Sequence, residues 1–377
     1  MSVQLLEAAA ADQLRVFELG PADHRRWEEF VLHHSDGTVF QLPGWIEALR
    51  REYDRQLLCL GCEDLDGNLR GVLPLLETRG LPFRKSPRSG RRWSSLPRTP
   101  VAGPLSLGSE PAVLLLNAAA RQVRSRSSGK LELKPVEPRF DGLVEGVEPV
   151  PWRRTYVLRL PRPPLAVRFG TSKNHSRIEW SVRKATRLGV TVRSAGSEAD
   201  LRNWYRLYLD TLRDRAVPPR PFRFFRSVWD IMRPMGMLRL LLAEQRAARR
   251  TVLLSGSIFL GFGQRLFYSF SGSRRDRQSL SLRPNDLILY KAIQDAQASG
   301  FQELDFGEVT DSTEGLAQFK SKWGAEERWL HRYYCPPLRG LKAERPPTRL
   351  DQLGDVVWRK LPLALTRSLG NWLYGYM

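Results

Sequence analysis

Three charged residues near the C-terminal end of the sequence have types and spacing suited to acid–base or charge-stabilising chemistry. Asp305 and Glu308 lie at the end of the strand-like segment QELDFGE, and Lys320 follows in a short helical segment between Phe319 and Trp323. Sites in α/β proteins usually lie beyond the carboxyl ends of strands. A strand, a loop and a packed aromatic helix would give the same spacing, so spacing alone favours a structural role.

Two clusters of basic residues precede this stretch. Four basic residues of the predicted helix 166–188 fall within about 80° of one another, and Trp180 joins them. The four are Lys173, Arg177, Lys184 and Arg187, and the opposite side carries Ile178, Val182 and Ala185. The second cluster consists of Arg274, Arg275, Arg277 and Arg283. These side chains could hold phosphate groups of a substrate, an anionic lipid or RNA, the alternative being a solvated face of an arginine-rich protein.

Metal ligands and nucleophilic triads have no support in the sequence. Cys59 and Cys62 form a CxxC pair, but they lie in the predicted strand QLLCLGCE, where residues three apart face opposite sides. The five histidines form neither an HExxH nor an HxH pattern, and no GxSxG elbow is present. We therefore expect packed cysteines and no bound metal.

Composition and charge limit the class of protein further. The chain has 377 residues and a formal net charge of +20, with 50 Arg and 10 Lys among its 60 basic residues. An arginine-rich genome would explain this ratio, and attraction to nucleic acid, an anionic membrane or a phosphorylated substrate is the functional alternative. The sequence has no run of 18 apolar residues, no start typical of a signal peptide and only three cysteines. These features predict a cytoplasmic protein with possible peripheral contact at the inner face of the membrane.

The elements that must position the charged residues fall into two predicted domains and a tail. Residues 1–150 are predicted to contain strand 14–19, two helical stretches, a hairpin at Asp66-Gly67, an irregular segment over 80–110, a helix over 112–123 and a strand over 130–134. A proline-rich region carrying the strand RTYVLRL separates this domain from the next.

The second predicted domain, residues 151–340, begins with the basic helix ending at Gly189. A strand, a helix over 198–215, a hairpin turning at 261–264, a helix opened by Pro284 with Asn285 as its N-cap, and the strand QELDFGE follow. The basic, aromatic tail, residues 341–377, is expected to pack on this domain as a helix, and the alternative is a position on a membrane surface.

Several blocks of the chain resemble the FemAB-like proteins, bacterial transferases built from two domains of the GNAT acyltransferase fold. The matching blocks are NHSRIEWSVRKATRLGV, LRPNDLILYKAIQDAQASGFQELDFGE and QFKSKWGAE, with a looser match at VFQLPGWIEALRREY and the hairpin ending GVLPLLE. The resemblance implies an α+β fold, with tandem GNAT-like domains that each hold a mixed, mostly antiparallel sheet flanked by helices.

The same resemblance implies transfer of an acyl or aminoacyl group onto an amine, from acyl-CoA or aminoacyl-tRNA. Lys320 matches the lysine of the family's FKxxFG-type element, where an ammonium could stabilise charge on the reacting carbonyl oxygen. Asp305 and Glu308 are the candidates for relaying the amine proton. The stretch RDRQSLSLRPND lacks the glycines of the GNAT pyrophosphate loop, so the arginines there are the candidates for holding phosphates.

The resemblance therefore implies an N-acyltransferase acting on an amine of a cell-envelope glycan or lipid-linked precursor. The chain is more similar to the family members associated with exopolysaccharide or exosortase gene clusters than to the peptidoglycan-bridge enzymes, because it has no long helical insertion. The candidate substrate-binding residues are Arg177, Lys184, Asn285, Tyr290, Arg283 and Trp45. The alternatives are an aminoacyl-tRNA-dependent peptidoglycan-bridge ligase and a non-catalytic accessory protein that binds anionic glycan or membrane.

Overall fold

The computed structural model describes residues 13–53, 55–80, 91–126, 129–136, 140–163, 165–247, 250–310, 313–337, 349–374 and 376. Residues 81–90 of the segment predicted to be irregular, and residues 341–348 at the start of the predicted tail, lie outside these ranges. Internal contacts divide the chain into two compact units, with boundaries between Trp152 and Arg153, between Trp329 and Leu330, and between Glu344 and Arg345. The three-part division given from the sequence stays a prediction.

The helices and strands follow one another as a mixed α+β chain. Up to the first boundary they are β1 (Leu14–Glu18), α1 (His24–His33), α2 (Pro43–Tyr53), β2 (Leu57–Asp64), β3 (Leu69–Thr78), β4 (Arg92–Ser94), β5 (Leu105–Ser106), α3 (Ser109–Arg126) and β6 (Leu131–Leu133), with 3₁₀ turns at Pro21–Asp23 and Val39–Gln41. They continue as β7 (Glu148–Arg159), α4 (Ser172–Arg187), β8 (Val190–Ser194), α5 (Glu198–Asp214), α6 (Phe222–Met232), β9 (Leu238–Ala247), β10 (Arg250–Phe262), β11 (Arg265–Ser273), α7 (Arg277–Ser281), α8 (Pro284–Ala298), β12 (Glu303–Val309), α9 (Glu314–Ser321), β13 (Glu326–Cys335), α10 (Arg349–Lys360) and α11 (Leu363–Tyr374).

The two units contain the same succession of strand pairings. In the first unit the order is β1-β2-β3-β4-β6 and then the end of β13, and only the β4–β6 pair is parallel. In the second unit the order is β8-β9-β10-β11-β12-β7, and only the β11–β12 pair is parallel. Each parallel pair is joined through a helix, as parallel neighbours require. The expected mostly antiparallel, tandem arrangement is confirmed.

Each unit buries its own apolar core between helices and sheet. In the second unit, Ile178 and Ala185 of α4 and Ile288 and Ala292 of α8 pack in one cluster with strand residues such as Leu304. Helical spacing puts each pair on one side of its helix, which explains why both helices can cover the sheet. The basic side of α4 consequently faces away from this core.

A buried carboxylate ties three strands of the first unit together. Glu132 of β6 accepts a hydrogen bond of 2.9 Å from Arg92 of β4 and another from Arg332 of β13. Burial alone would raise the pKa of Glu132, but these guanidinium groups and Lys134 hold it well below its usual range. The charge cluster is therefore internal to the fold of this unit.

Several element bounds differ from those predicted. The helix expected over 166–188 begins only at Ser172, where Thr171 provides the N-cap. Helix α3 is longer than 112–123, and β7 starts six residues before RTYVLRL. Several elements were not predicted. Among them, α6 has buried residues at helical spacing after Pro221, β9 supplies the strand between β8 and β10, and the short strands β4 and β5 lie in the segment predicted to be irregular. The prediction that Asn285 caps α8 is wrong, because the N-cap is Arg283.

The close packing of α5 on the sheet of the second unit gives a stability prediction. A Cβ atom at Gly256 of β10 would lie 2.7 Å from side-chain atoms of Leu242 and Trp204, both of which are buried. We expect Gly256→Ala to lower the free energy of unfolding by about 1–3 kcal/mol through overpacking. Gly196→Ala is the matched control, since nothing lies within 4 Å of its Cβ position. Denaturant unfolding of both variants measures the difference, and equal stability would contradict the packing argument.

Candidate active site

The parallel strands β11 and β12 pair only at their beginnings. Their register runs from Arg265 opposite Glu303 to Phe267 opposite Asp305, and no pairing follows within the described chain. At the same point the register between β12 and β7 shifts, because three steps from Asp305 to Glu308 match two steps on β7. Gly307 within this bulge has a φ of +76°, a conformation that favours glycine. The bulge therefore changes the direction of the β12 main chain at the point where its pairing with β11 ends.

Asp305 fixes the bulge from inside. Its Oδ1 accepts hydrogen bonds from the hydroxyl of Thr155 at 2.6 Å and from the main-chain N–H of Gly307 at 2.7 Å. The residue is partly exposed, but its carboxyl group is turned inward. Burial raises the pKa of Asp305, although both hydrogen bonds and the charge of Lys320 oppose the rise. The contacts make Asp305 a residue that shapes the strand.

Lys320 of α9 contacts the main chain of the same bulge. Its Nζ donates to the carbonyl oxygens of Gly307 at 2.6 Å and Glu308 at 3.1 Å, and the residue is 3% exposed. An ammonium has three N–H groups, so one stays uncommitted to the described chain. Burial lowers the pKa of Lys320 to about 8, against partial opposition from the carboxylates of Asp305 and Glu308. The group therefore remains protonated at neutral pH while it is close to titrating.

Glu308 lies at the far end of the bulge with its side chain on a different partner. Its Oε2 accepts a hydrogen bond of 3.0 Å from Arg153 of β7. The structure therefore brings together the three residues predicted to be catalytic, and each of them contacts the bulge or belongs to it. Arg153, Thr155 and Gly307 belong to the same group, and sequence reasoning missed them. The partners of Arg153 and Thr155 lie 155 and 150 residues away along the chain, whereas the glycine after Asp305 was a local signal for a bulge.

The turn after Lys320 locks α9 against the start of α4. Gly324 has a φ of +85°, and a Cβ atom there would lie 2.6 Å from the main-chain nitrogen of Gly170. Trp323 is fully buried with its ring edge-on to Phe169 at 5.2 Å. The aromatic residue and the glycine of FKSKWG therefore serve a close backbone approach, and they hold Lys320 in position.

The N-terminus of α8 is occupied by side chains of the chain itself. Pro284 has no N–H, and Asp286 in the first turn is buried and ion-paired with Lys322 at 2.5 Å. Asn285 is hydrogen-bonded to the hydroxyl of Ser255, which ties α8 to β10. A pyrophosphate at this helix start would meet the carboxylate of Asp286 with fewer free N–H groups than a glycine-rich loop supplies. The geometry does not fit phosphate binding by main-chain groups at this position.

An unneutralised basic surface lies beside this helix start. Lys184 Nζ is 5.2 Å and the guanidinium of Arg283 is 6.0 Å from the ring of Trp180, which is 52% exposed. Along the described chain, no carboxylate lies within ion-pair distance of five basic side chains on this surface. They are Lys173, Arg177, Lys184, Arg187 and Arg283. We call these five residues and Trp180 the Trp180 surface.

The remaining predicted site residues lie elsewhere. Tyr290 of α8 packs edge-on against Phe169, with 5.9 Å between the ring centroids. Trp45 belongs to the first unit, where it is 1% exposed and packs against Phe40. Of the arginines in the second cluster, Arg275 is paired with Asp214 and Arg274 donates to the carbonyl of Leu253.

The CxxC pair consists of buried, free cysteines. Burial raises the pKa of Cys62 to about 11 and raises that of Cys59 further. Both thiols are therefore protonated at neutral pH and poorly reactive. Among the residues that the structure describes, no group of three or more His, Cys, Asp or Glu could hold a metal ion.

Comparison with known proteins identifies the class of the second unit. The family model of the acetyltransferase (GNAT) domain matches residues 172–321, which run from α4 to the end of α9. The chain thus carries a GNAT domain whose matched range includes Lys320 and the β12 bulge. No curated protein matches the sequence.

Solved structures extend the likeness to both units. The crystal structure of FemX is similar with a TM-score of 0.66 and 16% identity, over 85% of this chain and 96% of FemX. The C-terminal domain of a putative lysylphosphatidylglycerol synthetase from Agrobacterium fabrum gives a TM-score of 0.53 and 12% identity, over 89% of this chain and 96% of that domain. The structure of L-PGS from Bacillus licheniformis gives a TM-score of 0.53 and 10% identity, over 91% of this chain and 97% of that protein. The chain therefore has a GNAT domain over residues 172–321, and its fold over both units is similar to that of FemX, as the sequence resemblance implied.

The ion pair at the start of α8 gives a stability prediction. Lys322→Met would leave the buried carboxylate of Asp286 without its cation, so we expect a loss of about 2–4 kcal/mol in the free energy of unfolding. Lys291→Met is the matched control, because the exposed pair of Lys291 and Asp295 contributes about 0.5 kcal/mol or less. Thermal unfolding compares the two, and equal shifts in Tm would show that burial adds nothing.

Proposed function

We propose that the chain transfers an acyl group from an activated donor onto an amine of a phosphorylated cell-envelope precursor, either a glycan or a lipid-linked one. The observation that carries this proposal is the ammonium of Lys320, held by two carbonyl groups at the place where β11 and β12 separate. Where the two parallel strands are no longer paired, their main-chain N–H and C=O groups can bind an extended donor molecule. The GNAT match over residues 172–321 supports the acyltransferase class.

The contacts support distinct proposed roles for the three central residues. The acceptor nitrogen attacks the acyl carbon, the carbonyl oxygen takes up negative charge, and the bond to the donor's sulfur or oxygen breaks as the carbonyl re-forms. The uncommitted N–H of Lys320 is the donor for that oxygen. Asp305 acts through Gly307 as a positioning residue, and Glu308, on the more exposed side of the bulge, takes up the proton of the attacking amine.

An aminoacyl-tRNA donor is the second candidate, and the start of α8 favours it. Acyl-CoA bound through main-chain N–H groups there would meet Asp286, whereas the phosphates of a nucleic acid can bind along side chains. The Trp180 surface supplies unpaired cations beside an exposed aromatic ring, which suits phosphates and bases. Under this alternative the chain is a peptidoglycan-bridge ligase.

Removal of the Lys320 ammonium tests the catalytic assignment. We expect Lys320→Met to lower the rate of acyl transfer by about 10²–10³-fold, the usual effect of losing one oxyanion donor. Acetyl-CoA and charged tRNA are each offered with amine-bearing envelope precursors, and product mass is followed. Lys291→Met is the control, since it removes an exposed lysine of the same unit. A Lys320→Met variant that folds and transfers at the wild-type rate would show that Lys320 is structural.

Transfer by neither donor to any amine-bearing precursor would favour the non-catalytic accessory protein.

The two donors are distinguished by the salt dependence of binding as well as by the product. Binding of charged tRNA through the Trp180 surface would weaken steeply with salt concentration, because phosphate contacts release counterions. The double variant Arg177→Glu with Lys184→Glu would then lose tRNA binding while its fold is unchanged, since both side chains are exposed or half-buried.

The lowered pKa of Lys320 predicts the pH dependence of the reaction. Only the protonated amine can stabilise an oxyanion, so the rate is expected to fall as the pH rises through about 8. The contribution of Lys320 to the free energy of unfolding changes in the opposite direction, because it rises with pH. Between pH 8 and 10.5 the unfolded chain keeps a proton that the folded chain releases, so wild type gains stability relative to Lys320→Met. A Lys320→Arg variant would keep its charge, and its residual activity would not decline near pH 8. An identical alkaline decline in that variant would assign the titration to another group.

A further inference from the structure

Exposed apolar side chains are concentrated at the C-terminal end of the second unit. Of the 15 large apolar side chains that are exposed in the described part of the chain, six lie in the 26 residues from Arg349 to Tyr374. Their exposed fractions range from 40% to 61%. They are Leu353, Val356 and Val357 of α10, and Leu365, Leu369 and Trp372 of α11.

The fold fixes which side of α11 is covered. Thr366, Gly370 and Tyr374 are buried, and a Cβ atom at Gly370 would lie 2.5 Å from the ring of Pro219. The guanidinium of Arg220, itself buried, lies 5.4 Å from the ring of Tyr374. This docked side repeats every four residues, as the closest approach of a helix to its support requires.

The apolar stripe of α11 lies on its other side. Leu365, Leu369 and Trp372 are spaced i, i+4 and i+7, so they fall within about 60° of one another, roughly 130° from the docked side. Docking therefore directs the three apolar side chains outward and holds them there.

Helix α10 carries a second stripe with the same spacing rule. Leu353, Val356 and Val357 occupy positions i, i+3 and i+4 on one side of the helix. Arg359 Nε donates to the carbonyl oxygen of Asp214 at 3.1 Å, which ties the helix to the end of α5. Both helices are thus anchored on the unit, and each has an apolar stripe whose side chains are 40–61% exposed.

The charges around the stripes indicate what covers them. After Asp355 the sequence contains no acidic residue up to its last position, but it contains Arg359, Lys360 and Arg367, all exposed. Apolar and aromatic side chains bordered by Arg and Lys are typical of helices lying in the headgroup region of an anionic bilayer. A second copy of the chain is less suited, because a two-fold contact would bring these cations close to their equivalents on another molecule of charge +20.

We propose that α10 and α11 form a surface that binds anionic bilayers, with both helices lying in the plane of the interface. Each helix has 12 residues, about 18 Å, which is too short to cross the hydrocarbon core of about 30 Å. Among the described residues, no helix combines the length and the hydropathy of a membrane-spanning segment. The binding is independent of the proposed transfer reaction, although it would bring the second unit to lipid-linked acceptors.

Vesicle co-sedimentation of the full chain tests the proposal. Wild type is mixed with vesicles of phosphatidylcholine alone and of equal parts phosphatidylcholine and phosphatidylglycerol. We expect binding to the mixed vesicles only. The variant Leu365→Ser with Leu369→Ser should lower the partition coefficient at least about tenfold, because two apolar side chains leave the interface. The matched control, Leu65→Ser with Leu107→Ser, changes two exposed leucines of the first unit and should bind like wild type.

The same wild-type, test and control proteins distinguish the remaining outcomes. Absent binding by wild type, or equal loss in the test and control variants, would overturn the proposal. Self-association that Leu365→Ser with Leu369→Ser abolishes, without vesicle binding by wild type, would assign the surface to a second copy of the chain. Acyl transfer to a water-soluble amine should be unchanged in this variant, which separates failure of membrane binding from failure of the proposed function.

Discussion

A buried ammonium bonded to two main-chain carbonyl groups is the contact on which the site of the second unit depends. Lys320 donates to the carbonyl groups of the β12 bulge at Gly307, and Asp305 stabilises this bulge by accepting the N–H of Gly307. Burial of a charged amine is costly, so the carbonyl groups of Gly307 and Glu308 must replace its water. The FKSKWG turn holds α9 close enough for this through Gly324 and Trp323.

The two units share a strand order but put different chemistry beside their parallel pair. In the second unit, the strand after the parallel step holds a lysine with one uncommitted N–H. In the first unit, the corresponding strand β6 carries Glu132, whose charge is matched by Arg92 and Arg332. The same strand order therefore accommodates different charged groups beside its parallel pair in the two units.

The high net charge has a more specific meaning once its partners are known. Many arginines are neutralised locally, as Arg193 is by Asp200 and Glu244. The Trp180 surface keeps its cations unpaired, and the end of the chain combines exposed cations with apolar stripes. Charge that the fold leaves uncompensated is the charge available to phosphates and lipid headgroups. Its location therefore informs function more than its total does.

Local chemistry determined much of this protein from the sequence alone. Gly189, Gly263 and Gly300 all have a positive φ at the predicted helix ends and hairpin turn, because a glycine acts within its own few residues. The blocks that resemble a known family also indicated the tandem GNAT fold. Only the tertiary structure decided which groups Lys320 contacts, that Asp286 pairs with Lys322 36 residues away, and that Asn285 binds Ser255 rather than capping α8. These contacts depend on how distant elements pack against one another, and no pattern along a single segment of the sequence encodes that packing.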